Sequence, residues 1–176
     1  MTASHSSVLS LADVNALTPD AFIARFGDIA EHSPWVAEGA VNARPFPSHD
    51  ALVNAFQRAI LDAPATRQTA LILAHPDLAG RATALKDLAD ESRREQKGAG
   101  LDTLTQDEFK RFHALNDAYR ARFGFPFIFA VSGATKYQIL EAFEQRVAGT
   151  HEEERLTALA QILRIVRFRL EARVKA

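Results

Sequence analysis

The sequence predicts an all-α protein: a single compact multi-helix domain of roughly seven to nine helices. Three observations carry that reading. Apolar residues recur at helical spacing through most of the chain. Ser or Thr followed three residues later by Glu or Gln marks helix starts repeatedly, and proline stands at first helical positions. No segment alternates apolar and polar residues over the length of a strand.

The opening residues, MTASHSS, are polar and lack the basic start and apolar run of a signal peptide. Residues 1–8 are therefore read as a flexible tail and 9–176 as the domain. Thr18-Pro19-Asp20 opens a helix to about Ala30 with Phe22, Ile23, Phe26 and Ile29 on one face. Ser33-Pro34 repeats the signal ahead of Trp35. After the Arg44-Pro45-Phe46-Pro47 break, Ser48 caps a helix with the stripe Leu52, Ala55, Phe56, Ala59, Ile60, which Pro64 ends. Thr66 starts a helix that must stop near His75, because Pro76 disfavours helical geometry in the residue before it. Four capping boxes or near-relatives follow. Ser92 pairs with Glu95. Thr105 and Glu108 open a helix carrying Phe109, Phe112, Leu115, Tyr119 and Phe123, with Gly124 as C-cap. Thr135 precedes one through Ile139, Leu140, Phe143 and Val147. Thr150 and Glu153 open the last and longest, to about Val174.

Composition narrows the function classes. The chain has 176 residues, and 21 Lys+Arg stand against 22 Asp+Glu, a net charge of -1. That balance removes the electrostatic reason to expect nucleic acid. Without cysteine there is no disulfide framework, thiolate metal site or cysteine nucleophile. The longest apolar runs fall far short of the ~20 residues that span a bilayer, so a soluble cytoplasmic protein without a membrane partner is expected. His151-Glu152-Glu153-Glu154-Arg155 starts like a zincin helix but has arginine at the second ligand position. His75-Pro76-Asp77 could supply two metal ligands, but a proline-stiffened pair needs at least one more partner, and no metal is expected.

Three segments are odd for a plain bundle. His75, before Pro76, ends a helix, where negative partial charge suits a histidine that holds and releases a proton; a C-capping histidine is the bland alternative. Ser92-Arg93-Arg94-Glu95-Gln96 is either a capping box or a helix start offering N–H groups to a ligand. Phe123 to Val131, interrupted by Gly124 and Pro126, is an extended apolar segment whose backbone groups need partners, in the core or on a ligand. On the last helix, at about 100° per residue, Arg169 falls between Ile162 and Ile165 on the apolar face. An inward guanidinium needs an anionic partner, a protein carboxylate or a substrate.

Three motifs, in order, resemble the OHCU decarboxylase family: His75-Pro-Asp-Leu-Ala-Gly80, Ser92-x-x-Glu95-Gln96-x-x-Ala99-Gly100-Leu101, and Leu115-Asn116-x-x-Tyr119-x-x-Arg122-Phe123-Gly-Phe-Pro-Phe127. The resemblance covers about residues 10–172. It implies an all-helical homodimer that works without metal or organic cofactor. The substrate would be 2-oxo-4-hydroxy-4-carboxy-5-ureidoimidazoline (OHCU), formed from urate, and the products (S)-allantoin and CO2. His75 would be the catalytic acid/base and Pro76 would shape its surroundings. Glu95 would orient the imidazole or bind ureido N–H groups, while Ser92 and Gln96 read amide edges, with Arg93 and Arg94 in the same binding segment. Phe127, Ile128, Phe129, Ala130 and Val131 would hold the planar ring, and Arg169 would meet an anionic or carbonyl end. A catalytically inactive helical module that binds a purine-like ligand or a protein is the alternative.

Overall fold

The helix starts explain why the chain folds as it does. In the computed structural model, which describes residues 8–79 and 90–175, Ser10 opens α1 (Leu11–Ala16). Its hydroxyl accepts from the Asp13 N–H, and the Asp13 carboxylate accepts from the Ser10 N–H in return. Thr18 caps α2 (Pro19–Phe26), with proline at the first helical position, where its missing N–H costs nothing. α3 (Trp35–Ala40) runs into a 3₁₀ turn at Val41–Ala43, and Ser48 caps α4 (His49–Leu61). α5 (Ala65–Ala74) and α6 (Asp90–Gly98) follow. Thr105 and Glu108 form a reciprocal box on α7 (Gln106–Phe123), closed by Gly124 in the left-handed region at φ 76°. Thr135 and Gln138 do the same for α8 (Lys136–Arg146). Thr150 and Glu153 cap α9 (His151–Arg173). The described residues thus form nine α-helices and no strand, only an isolated bridge between Leu9 and Val174.

Four details differ from the sequence expectation. α1 was not anticipated, although Ser10 and Asp13 stand at capping spacing. α2 stops at Gly27 rather than Ala30. Ser33 does not cap α3: its hydroxyl donates to the Glu31 carbonyl at 2.9 Å, and Pro34 occupies the cap position. Ser92 is the third residue of α6, not its cap, so the Ser92–Glu95 capping box is not formed. The tail expected over residues 1–8 lies outside the described residues except for Val8, and so does Gly80.

Contacts divide the chain into two units. One runs to Leu71 and resumes at Leu163; the other spans Ile72–Ile162. In the first, Phe22 packs against Phe26 and Phe56 with ring centroids 4.9 and 5.8 Å apart. α3 and α4 approach so closely at Gly39 that a Cβ there would sit 2.8 Å from the Ala59 Cβ. Asn15 clasps Phe46 from both sides, donating to its carbonyl at 3.0 Å and accepting its N–H at 2.8 Å. The peptide Arg44-Pro45 is cis. In the second unit an aromatic core joins Tyr119, Phe123, Phe127 and Phe143, with Phe127 stacked on Phe143 at 3.8 Å. Among the described residues no helix is long and apolar enough to cross a membrane.

Candidate active site

Pro76 dictates how α5 ends. The last helical residue is Ala74, and the His75 N–H closes the final turn onto the Ile72 carbonyl at 3.2 Å. His75 itself is buried, with 6% exposure. Three of the next four residues, Asp77 to Ala79, are each held by a side chain. The Asp77 carboxylate accepts from Arg120 Nε at 2.8 Å, and the Leu78 carbonyl accepts from Asn116 Nδ2 at 2.8 Å. The Ala79 N–H donates to Gln96 Oε1 at 3.1 Å. Ala79 adopts φ 51°, a left-handed conformation that costs a residue with a Cβ roughly 1–2 kcal/mol. Surrounding bonds offset that strain, so the loop carrying His75 is fixed rather than merely tolerated.

α6 presents one face to this loop. Ser92, Gln96 and Ala99 are buried and Glu95 is half-buried, at the spacing that places them on one side of a helix. With the capping box absent, a buried Ser and Gln on this face need another explanation than helix initiation. Arg93 and Arg94 are exposed on the other side, and the helix does not bring them to this face. Gln96 uses its carbonyl to hold Ala79. The amide oxygen expected to read a ligand is therefore committed to the backbone of the His75 loop.

The segment Phe127–Val131 is irregular and apolar, and all of it but the half-buried Phe129 is buried. Its polar backbone is partly answered by the protein. Arg146 Nη1 donates to the Ile128 carbonyl at 2.7 Å, and the Ala130 N–H donates to Gln161 Oε1 at 2.9 Å. The backbone of Phe129 makes no hydrogen bond with any described residue. In an extended chain, the N–H and C=O of residue 129 face away from the 128 carbonyl and the 130 N–H. Arg146 is in turn held by the buried Glu154, whose Oε2 accepts from Arg146 Nε at 2.9 Å and from the Tyr119 hydroxyl at 2.5 Å. Burial first, then the bond to Glu154, pushes the Tyr119 phenol far above its ordinary value.

The inward angle of Arg169 is confirmed: it is 4% exposed, in the first unit. Its Nη1 lies 3.3 Å from Glu31 Oε2 and donates to the Ile29 carbonyl at 3.2 Å. Of the two partners the sequence allowed, a protein carboxylate is present, itself buried.

His75, Pro76, Ser92, Glu95, Gln96 and Phe127–Val131 thus fall in one unit, and Arg169 in the other. Sequence reasoning missed Asn116, Arg146, Glu154 and Gln161 as supporting residues. Asn116 had a signal, since an amide on the apolar stripe of α7 must find a partner. Glu154 sits inside a run of three glutamates and had none.

Known proteins resemble this chain over most of its length. The sequence profile of the OHCU decarboxylase family matches residues 15–171. A 2-oxo-4-hydroxy-4-carboxy-5-ureidoimidazoline decarboxylase of Haloferax volcanii is 44% identical over 94% of this chain and 96% of that protein. One from Halalkalicoccus jeotgali is 39% identical over 93% and 90%. The solved structure of an (S)-allantoin synthase superposes with a TM-score of 0.77 at 30% identity. It covers 94% of this chain, which spans about half (54%) of that longer one. The chain belongs to the OHCU decarboxylase family.

Proposed function

We propose that this protein decarboxylates OHCU to (S)-allantoin and CO2 in urate breakdown, with His75 as the acid/base. The observation that carries this reading is the bond from the Ala79 N–H to Gln96 Oε1. It ties the buried face of α6 to the loop that begins at His75, which supports the reading that these two motifs serve one site.

The chemistry requires little machinery. When the bond to the carboxylate breaks, its electron pair moves into the adjacent C=N of the ring. CO2 leaves, the ring nitrogen takes up a proton, and an enol remains. The hydroxyl proton is then lost and one is delivered to the ureido-bearing carbon, which sets the stereochemistry. His75 performs both transfers, a general acid/base role worth typically ~10²–10⁴-fold. Glu95, half-buried one turn from Ser92, orients the imidazole or binds ureido N–H groups. The N–H and C=O of Phe129 pair with an amide edge of the planar ring, while Ile128 and Ala130 are held by the protein. Holding substrate in this way orients the carboxylate out of the ring plane. No metal or organic cofactor enters the scheme. A cytoplasmic homodimer belongs to the same proposal, by resemblance to the family.

The test is to generate substrate freshly from urate with urate oxidase and hydroxyisourate hydrolase, then follow circular dichroism. Rapid appearance of one allantoin enantiomer is expected. Slow racemic product, unchanged by the protein, contradicts the reading and favours an inactive binding module.

A further inference from the structure

We infer that Arg146, with Gln161, is a positioning residue that aims the Phe129 backbone at the ligand; this rests on the proposed role of Phe127–Val131. Arg146 fixes that segment at two points. Its Nη1 holds the Ile128 carbonyl at 2.7 Å, and its guanidinium lies over the Phe127 ring with 4.4 Å to the centroid. Gln161 fixes the opposite neighbour through the Ala130 N–H at 2.9 Å. Phe129 lies between these two anchors.

The arginine is itself held. Glu154 accepts from its Nε and also from Tyr119, so the guanidinium has one orientation set from behind. Only a planar fork serves both ends, with Nε toward the carboxylate and Nη1 toward the carbonyl. A lysine ammonium keeps the charge beside Glu154 but loses that geometry. Arg146 is 13% exposed in its side chain and Glu154 5%, so water competes little for either bond. A guanidinium so placed does not touch the reacting atoms. It governs how well the planar ring is received, not how protons move.

That distinction supplies the test. In Arg146→Lys, KM for OHCU and Kd for (S)-allantoin should rise about tenfold, the loss of one charge-assisted hydrogen bond. The kcat should stay within about threefold, and its pH profile should not shift, because His75 and Glu95 are untouched. If Arg146→Lys does not fold, Gln161→Met, which frees the other anchor by removing a neutral hydrogen bond, should raise KM and Kd in the same direction by about threefold with kcat likewise retained. A folded variant with unchanged KM and Kd overturns the inference, as does a fall in kcat at constant KM. Titrating the wild-type protein with (S)-allantoin while observing the Phe129 amide by NMR separates the two layers. A responding amide with unaffected variants defeats the positioning role alone. An amide that does not respond defeats the ring-binding reading on which it rests.

Discussion

Asn116 and Tyr119 stand three residues apart on α7, and each supports a different part of the candidate site. Asn116 Nδ2 holds the Leu78 carbonyl at 2.8 Å, behind the loop that starts at His75. Tyr119 packs on Phe127 with centroids 5.4 Å apart and bonds Glu154, which holds Arg146. A single face of one helix thereby supports both the loop that starts at His75 and the Phe127–Val131 segment.

Replacing Asn116 by Leu should therefore harm both stability and turnover. The Leu78 carbonyl loses its donor while remaining buried, a cost of about 1–3 kcal/mol. Urea unfolding reads that loss. Steady-state kinetics on the folded variant should show a lower kcat, because the His75 loop has lost one of three ties. Parent-like values in both measurements would remove Asn116 from the account.

The Arg169–Glu31 pair makes a different prediction. Both side chains are nearly inaccessible, at 3% and 1% exposure. Removing one partner leaves a buried charge, so Arg169→Met should cost about 3–5 kcal/mol in urea. Adding Glu31→Gln should recover part of it, a coupling that a double-mutant cycle measures. The substrate contact that the resemblance implies for Arg169 is separable: it would raise KM in Arg169→Met beyond its value in Glu31→Gln. Undiminished stability in Arg169→Met would show that the pair does not hold this unit.

Gly39 tests close packing in the first unit. Alanine is the better helix former by about 1 kcal/mol. A Cβ at this position, however, meets Ala59 Cβ at 2.8 Å, and overpacking costs typically about 1–3 kcal/mol. Gly39→Ala should lower the melting temperature, and Ala59→Gly should restore part of it in the double variant. A stabilised Gly39→Ala would mean that α3 and α4 separate freely.

Acid should weaken the second unit at the Lys136–Glu108 pair. The Lys136 ammonium first, and the Thr105 N–H next, hold the Glu108 carboxyl below its ordinary value of 4.5. A depressed folded value stabilises above the unfolded one and is lost as pH falls through it. The contribution should thus be intact at pH 7 and decline only below about 4.5. Urea midpoints from pH 7 to 3 should fall less steeply in Glu108→Gln. The pair is solvent-accessible, so added salt should shrink the difference. Equal slopes in both proteins would contradict the assignment.

Much of the fold is legible in the chain because capping is local chemistry. Thr18, Ser48, Thr105, Thr135 and Thr150 each mark a helix start that the structure contains. Ser92 has the same spacing but is the third residue of α6. The positions of His75 and Pro76 are equally local, as proline ends α5. What sequence could not show is where long-range polar partners come from. Gln96 binding Ala79, Arg146 binding Ile128 and Glu31 meeting Arg169 join residues 17, 18 and 138 apart. Periodicity identified Arg169 as inward-facing, but only packing could select Glu31 from 22 acidic residues.

The central claim is that His75 moves the protons. The direct measurement is His75→Asn with freshly generated OHCU, followed by circular dichroism, after a melt and an (S)-allantoin titration establish that fold and binding are retained. The account predicts decay no faster than the spontaneous reaction and racemic product. Near-parent formation of one enantiomer would contradict it.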